Sequence, residues 1–422
     1  MSVSKKIFDP VHGFIKLDEI EALLVDSHVF QRLHYIHQLG ITYLVYPGAT
    51  HSRFEHSLGV MEVATQIYDQ ISTKQIESEE ESDYWRQIVR LSALCHDLGH
   101  LPFSHLGEKR LLGKGGHEKW TLKVLESSLL DPVWEKLKEK YPTKEPRSDV
   151  IKVALGEDKL KEISHPLSVK PFSDKEKVMT LVITGDFFGA DRIDYLLRDA
   201  KCTGLSYGLF DYHQLIEMLR ILPDRENNKL VLGIEENGME SCEALLLARH
   251  FMHKRVYQYP SIKAYSFHMS RFMKHLYDQL EPLENLTDYL SMTDSNILVA
   301  VQEELRKGTL VHEDAKALSD RSRRFLSLEL PAYIDEEQMQ KFTLTQGISE
   351  GDIEWHIEDK ALERKVSFPV LKKTGEILDA TECSKLLVTP FSVSWVYIKA
   401  SYAEALREFL AVSKKEMGAF PL

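Results

Sequence analysis

Apolar residues recur at helical spacing along most of the chain, and their interruptions mark where elements end. Between Val11 and Gln38, residues Leu23, Leu24, Phe30, Leu33 and Ile36 fall at helical intervals until Gly40 breaks the pattern, which predicts one or two short helices. Tyr43 to Gly48 reads as a loop. Ser52 followed by Glu55 has the form of a capping box, which makes Glu55 a cap rather than a catalyst. The helix it opens carries Leu58, Met61, Ala64, Tyr68 and Ile71, with Val60, Val63 and Ile67 around the rest of its circumference. Such a helix lies inside the protein, so His56 in its first turn faces inward. The acidic Glu77 to Asp83 segment predicts a solvated loop. Ile88, Leu91 and Cys95 predict a second buried helix that ends at His96-Asp97 and is broken by Gly99 and Pro102. Gly113 to Gly116 predicts a flexible break before a helix opening near His117, and Pro142 to Lys177, rich in Lys, Glu, Pro and Asp, predicts a surface excursion with broken helices.

Further along, Asp191, Tyr195 and Asp199 recur every four residues and share one helix face, while Ile193, Leu196 and Leu197 lie elsewhere around it. Arg249, His253 and Tyr257 repeat the arrangement, so two helices can present polar faces to one cavity. The pattern stays helical from Phe267 to Ser327. After Pro331, the runs Phe342 to Thr345, Val366 to Leu371, Lys385 to Val388 and Val393 to Ile398 are short, β-branched and aromatic, and predict strands. Ala403 to Lys414 predicts a last helix. The expected architecture is mainly α, with a helical body over 1–328 and a smaller α+β region over 329–422; no solenoid repeat interrupts it.

Composition narrows the class. A chain of 422 residues with 43% hydrophobic and 28% charged residues is of the ordinary globular kind. No apolar run approaches the roughly 20 residues of a membrane span, and the N-terminus lacks an apolar signal core, so a cytoplasmic protein is expected. Cys95, Cys202, Cys242 and Cys383 are widely spaced without a CxxC pair, which predicts buried thiols rather than a disulfide framework or a zinc ribbon. The net charge of −12 argues against stable nucleic-acid binding while leaving room for a local basic pocket.

The candidate chemistry is concentrated in four residues. His56, His96, Asp97 and Asp191 supply two imidazoles and two carboxylates, a donor set suited to Mn, Fe, Zn or Mg that can leave positions open for water. A lone histidine on an apolar helix is ordinarily a hydrogen-bonded core residue; the combination is what points to a divalent metal.

The order His56, His96-Asp97, Asp191 resembles the H…HD…D signature of the HD phosphohydrolase superfamily, a helical bundle holding a metal. The resemblance is closest to the deoxynucleoside triphosphate triphosphohydrolases, both the bacterial enzymes and the vertebrate one whose HD domain follows a sterile-alpha-motif domain. It is carried by Phe8-Asp-Pro-Val-His-Gly13, Phe30-Gln-Arg-Leu33, Gln38-Leu-Gly40, Pro47-Gly-Ala49, Arg53 to Gly59, Cys95 to His100, Pro102-Phe-Ser-His105 and Asp191 to Tyr195, from about Lys6 to Tyr257.

The resemblance implies that His56, His96, Asp97 and Asp191 ligate the metal, and that Arg53, Arg192 and Arg249 hold phosphate oxygens. It implies that His105 protonates the departing 5′ oxygen with Glu108 and His117 orienting it, His100 belonging to the same cluster. Gln38 and Asp199 would read the sugar 3′-hydroxyl, and Tyr195 and Tyr257 would line the deoxyribose. Plainer readings exist: Arg53 as support for a helix start, Arg249 in a surface ion pair, Tyr257 as core filling. His51 receives no role. The implied substrate is a dNTP, the products a deoxynucleoside and triphosphate, and the implied assembly a homo-oligomer, dimer or tetramer. The alternatives are an HD phosphohydrolase acting on a cyclic dinucleotide, ppGpp or a nucleoside monophosphate, and a nucleotide-binding regulator. In the vertebrate enzyme a guanine nucleotide activates between subunits. Asp26 and Gln31 match two of its effector contacts, but His34 stands at an arginine position, Gln214 replaces another arginine, and Glu235-Glu-Asn237 stands where basic residues are expected. Activation by GTP or dGTP is therefore expected to be absent or altered.

Overall fold

The structure, a computed structural model, describes residues 3–73, 78–225, 228–278, 285–308, 312–331, 333–357, 367–384, 386 and 394–417. An antiparallel hairpin opens it, β1 (Lys5–Asp9) paired with β2 (Gly13–Leu17). Asp9 shapes the turn, its Oδ1 accepting the N–H groups of Val11 and His12 at 2.8 Å each. Ile15 and Leu17 point into the core while Phe8 and Phe14 face solvent. Helical spacing from Val11 onward does not reveal this hairpin, because its strands are only five residues long.

The first half continues with α1 (Glu19–Asp26), α2 (His28–Gln31), α3 (Arg53–Ser72), α4 (Glu79–Cys95), α5 (Glu108–Leu111) and α6 (Gly116–Glu126). There follow α7 (Asp131–Lys140), α8 (Pro146–Glu162), α9 (Asp174–Thr184) and α10 (Ala190–Thr203). At its centre α3 packs between α4 and α10, buried nearly all round as its pattern predicts. Two expectations are corrected. Glu79, Glu80 and Glu81 are not loop but the first turn of α4, capped by Ser78, where the positive end of the helix dipole favours them. The Lys-, Glu- and Pro-rich stretch is not an excursion: α8 packs on α4 and α9 and buries Val150, Ile151, Val153, Leu155 and Leu160, with a kink at Gly156. Its charged residues, Lys152 apart, lie towards its two ends and flank a buried run from Val150 to Gly156.

The second half contains α11 (Tyr212–Glu217), α12 (Met239–Met252), α13 (Pro260–Asp278), α14 (Leu286–Ser291), α15 (Asp294–Lys307) and α16 (His312–Ser319). It also contributes β3 (Leu219–Pro223) and β4 (Leu230–Glu235), an antiparallel pair. β5 (Leu326–Leu330), α17 (Glu336–Gln346), β6 (Ile353–His356), β7 (Pro369–Leu371), β8 (Ile377–Asp379), α18 (Ala380–Cys383), β9 (Ser394–Ile398) and α19 (Ala403–Met417) complete the chain. β7 adds parallel to β4 and β8 antiparallel to β7, giving the order β3-β4-β7-β8, while β9 lies between β5 and β6 in a second sheet. Phe342 is not in a strand. It sits in α17, where Met339 and Phe342, three residues apart, share the buried face below an Asp335–Gln338 capping box. The Lys385 to Val388 run lies outside the described residues apart from Leu386.

The largest apolar core unites the hairpin, the α3–α4–α10 layer and the β3-β4-β7 strands. A separate cluster of Leu330, Ile334, Met339, Phe342, Ile348, Ile353, Val396, Ile398 and Leu406 holds the second sheet against α17 and α19. The fold is thus mainly helical with small sheets, as its pattern predicts. Cys95 and Cys242 are buried but Cys202 and Cys383 only partly so, and all four are free thiols. Among the described residues no helix is long and apolar enough to cross a membrane.

Candidate metal centre and its surrounding pocket

His56 enters from the first turn of α3, with Glu55 accepting the backbone N–H of Ser52 at 3.2 Å as a cap does. His96 and Asp97 follow the last turn of α4, and Asp191 lies in the first turn of α10. The three helices bring these ends together. His56 Nε2 lies 3.0 Å from Asp191 Oδ1 and 3.6 Å from Asp97 Oδ2, and His96 Nε2 lies 3.8 Å and 3.5 Å from the same two atoms.

The histidines are aimed by their other nitrogens. His56 Nδ1 pairs with Asp194 Oδ2 at 2.8 Å, and His96 Nδ1 with the carbonyl of Ala93 at 2.7 Å. Both Nε2 atoms are left buried and without a hydrogen-bond partner, facing the two carboxylates. A buried polar atom without a partner is costly, whereas a carboxylate- or carbonyl-held imidazole with a free second nitrogen is how metal ligands are oriented. The donor set and these orphaned atoms fit a divalent ion.

Charge reinforces the fit. Burial alone would raise the Asp97 carboxyl, but Arg53, His96 and His100 hold it well below its usual range. Asp191 is likewise held low against burial by His56 and His96. Burial depresses His56, yet the neighbouring carboxylates of Asp191 and Asp194 win and carry it up to about 9. Surroundings that favour one positive charge on His56 favour a cation beside it equally.

Asp194 lies within the Asp191 to Tyr195 motif, and the sequence alone assigns it no role. Its Oδ1 is 2.7 Å from His12 Nε2, and both of its oxygens receive Arg198 at 2.9 Å, while Arg198 Nη1 reaches Asp9 Oδ2 at 2.7 Å. The β1–β2 turn is thereby tied to His56 through buried charges. The position of Asp194 one turn after Asp191 on the same helix was the available signal. Gly59 makes room for it: a Cβ there would lie 1.9 Å from Asp194 Oδ1 and 2.4 Å from Arg198 Nη2.

On one side of this His/Asp cluster stand His100, His105, Glu108 and His117. Glu108 lies 2.6 Å from His117, 2.9 Å from His105 and 3.2 Å from His100, and these imidazoles outweigh burial and keep it ionised. His117 is raised, burial being overcome by Glu108, while burial and the charges of Arg53 and His117 push His100 down to about 3. The His100 and His117 rings stack at 3.7 Å and 20°. Nδ1 of His100 and Nδ1 of His117 both turn to Glu108 Oε1, at 3.2 and 2.6 Å, and together with His105 these side chains form a second group whose donor atoms lie close enough to share an ion or a proton. His105 alone is exposed, its side chain at 67%. Gly99 lets α6 approach with His117, since a Cβ there would lie 2.2 Å from the backbone N of Thr121.

Arg53 is buried, its Nε on Ser104 Oγ at 2.8 Å and its Nη1 on Asp97. It bridges Asp97 and the loop before His105. On another side, Asp199 is 1% exposed and receives Tyr257 OH on Oδ2 at 2.7 Å and His51 Nε2 on Oδ1 at 2.8 Å. His51, left without a role from sequence, is carried up to about 10, burial being overcome by its bonds to Asp199 and Cys202. Tyr195 packs edge-on against Tyr257 at 5.8 Å. The Gln38 N–H donates to His51 O at 3.0 Å, and Gln38 Oε1 is buried without a partner. Nε and Nη1 of Arg192 are likewise buried without partners. Burial and the charge of Arg192 both lower Arg249, as for two guanidiniums sharing one region. The stripe Arg249, His253, Tyr257 does not survive intact: a π-helical turn over His253–Tyr257 swings Tyr257 to Asp199 and leaves His253 exposed.

Comparison with known proteins agrees with this geometry. Residues 53–181 match the HD domain and residues 210–350 the HD associated region. The uncharacterized protein YwfO of Bacillus subtilis is 31% identical over 377 residues, 84% of this chain and 78% of YwfO. The crystal structure of a hypothetical protein from Aquifex aeolicus has a TM-score of 0.76 at 32% identity, covering 96% of this chain and 99% of that one. The chain belongs to the HD-domain phosphohydrolase family, with a buried His/Asp cluster of the kind that holds a divalent metal. It is also similar to the deoxynucleoside triphosphate triphosphohydrolase SAMHD1 of Gallus gallus, 33% identical over 270 residues and 60% of this chain. It spans less than half the length of several curated relatives, 42% in the case of chicken SAMHD1.

Proposed function

We propose that this protein hydrolyses deoxynucleoside triphosphates to deoxynucleosides and inorganic triphosphate. The observation that carries the proposal is the juxtaposition around one cradle of a carboxylate-backed acid, His105–Glu108, a pair of neighbouring guanidiniums, Arg192 and Arg249, and a polar wall of Asp199, Tyr257 and Gln38. These suit, in turn, a departing oxygen, a polyphosphate and a sugar hydroxyl. Similarity to SAMHD1 supports the same substrate class.

His56, His96, Asp97 and Asp191 would hold the ion. The chemistry a divalent ion supplies there is polarisation of a phosphoryl oxygen and acidification of water. The protein does the rest. Arg192 and Arg249 bind phosphate oxygens, for which the guanidinium fork is suited, and an anion between them relieves their mutual repulsion. Arg53 holds Asp97 ionised and in place. Asp199 and Gln38 take the 3′-hydroxyl, and Tyr195 with Tyr257 crowds the sugar where a ribose would add an oxygen. As water adds to the α-phosphorus the bond to the 5′ oxygen breaks, and His105, its Nδ1 held by Glu108, gives that oxygen its proton from Nε2. The working form we infer is a homo-oligomer.

Incubating metal-loaded protein with each dNTP and each rNTP, and resolving nucleoside, mono-, di- and triphosphate, tests the proposal. Deoxynucleoside with triphosphate from dNTPs, abolished by His96→Ala or Asp97→Ala, is the expected result. Turnover of no dNTP, alone or in mixtures containing GTP, overturns it in favour of another phosphorylated nucleotide. Activation by added GTP or dGTP is expected to be absent or altered: Asp26 pairs with Lys5, His34 stacks on Phe54 at 3.6 Å, and the cations Arg220 and Lys372 are already engaged by Glu235 and Glu236.

A further inference from the structure

Asp294 opens α15, in the HD associated region, and is 2% exposed. Its Oδ1 accepts the backbone N–H of Phe103 at 2.7 Å. Its Oδ2 accepts the backbone N–H of His37 at 2.9 Å and faces the His37 ring Nδ1 at 2.6 Å. One carboxylate thus joins two loops, one leading directly into His105 and the other into Gln38. Ser104 Oγ closes the same junction by donating to the carbonyl of His37 at 2.6 Å.

What it holds is strained. Phe103 and Ser104 adopt φ of 58° and 60°, consecutive left-handed residues that both carry a Cβ, and His105 follows at once. A residue in that region persists only where its surroundings over-determine it. Asp294 supplies that determination from a different part of the chain, with one carboxyl group shared between two backbone N–H groups and the His37 ring. Neighbouring contacts hold the preceding turn independently: Arg32 bridges the carbonyls of His100 and Met292 at 2.9 and 3.2 Å, and Tyr289 OH donates to Gly99 O. Loss of the carboxylate would therefore slacken the His105 loop without detaching it.

We propose that Asp294 is a positioning residue which fixes the His105 loop against the Gln38 loop, so that the HD associated region sets the distance between the proton donor and the sugar end of the substrate. The inference rests on the acid role given to His105 above. Asparagine cannot reproduce the arrangement, since its single carbonyl oxygen serves one loop while its amide N–H opposes the N–H of the other.

The test compares full-length wild type, Asp294→Asn and His105→Ala, all metal-loaded. It measures metal content, melting temperature, and kcat on the best dNTP and on bis(p-nitrophenyl) phosphate, whose p-nitrophenolate leaves without needing a proton. Asp294→Asn is expected to keep wild-type metal content and lose at least about tenfold in kcat on the dNTP but less than about threefold on the p-nitrophenyl ester, the same split as His105→Ala. His37→Phe, which removes only the ring contact, should give a smaller split in the same direction and serves if Asp294→Asn does not fold. Equal losses on both substrates, or an unchanged dNTP rate, overturn the inference while the substrate assignment stands. Wild type that cleaves the p-nitrophenyl ester but no dNTP overturns the substrate assignment and this inference with it.

Discussion

Asp194 serves two imidazoles and one guanidinium at once, and the whole arrangement is buried. A carboxylate behind a metal-binding histidine fixes its tautomer and tilt, and losing it typically costs roughly 10- to 100-fold in metal affinity. Asp194→Asn is therefore expected to weaken metal binding by about that factor with His56 itself unaltered, measurable by competition against a chelator. His51 gives a prediction of the opposite kind, about protons. Its folded pKa of about 10 lies above the ordinary 6.5, so the stability it contributes is fully present below pH 6.5 and is lost as pH rises through about 10. The melting-temperature difference between wild type and His51→Gln is expected to be largest near pH 6 and to shrink steadily towards pH 10. A difference independent of pH would mean that His51 acts only by packing.

At the scale of elements, the site exists because three helices can approach closely at their ends. α3 and α10 touch at Gly59, where any side chain would strike Asp194 and Arg198. Gly59→Ala is expected to cost about 1–3 kcal/mol from overpacking and to lower metal affinity together with the melting temperature, because the displaced atom is the one that aims His56. An unchanged affinity in a destabilised Gly59→Ala would show that α10 shifts as a unit. The same scale explains the misread segments. α8 buries a central run, Val150 to Gly156, between charged ends, and the acidic start of α4 is helix, because the first turn is where carboxylates are stabilised by the backbone.

For the molecule as a whole, two apolar clusters divide the labour. The larger one carries the helices of the His/Asp cluster and extends through β4 to β7, while the smaller is confined to the β5-β9-β6 sheet, α17 and α19. Met339 is fully buried in the smaller cluster, so Met339→Ala is expected to cost about 2–5 kcal/mol there. We expect it to add a separate low-temperature transition in calorimetry while metal content stays at the wild-type level. A single lowered transition with metal loss would show that the two clusters unfold together.

Local periodicity was enough to place His56, His96, Asp97 and Asp191 on or at the ends of buried helices, because helix formation and amphipathic burial depend on neighbours a few residues apart. It also separated Glu55, a cap, from the ligands. The residues that aim those ligands were not legible in that way. Asp294 meets Phe103 across 191 residues, His12 meets Asp194 across 182, and β4 meets the distant β7 on the side away from β3. Hydrogen-bond partners at such separations are chosen by how the helices and strands dock, which no window of a few residues contains. The short strands β1, β3 and β4 were missed for the same reason, since a five- or six-residue strand gains its stability from its partner and not from its own pattern. The sequence by itself determined which atoms could hold an ion, through residue type and helical spacing; only the tertiary structure decided where those atoms point, because their orientation is set by buried charges brought from distant parts of the chain.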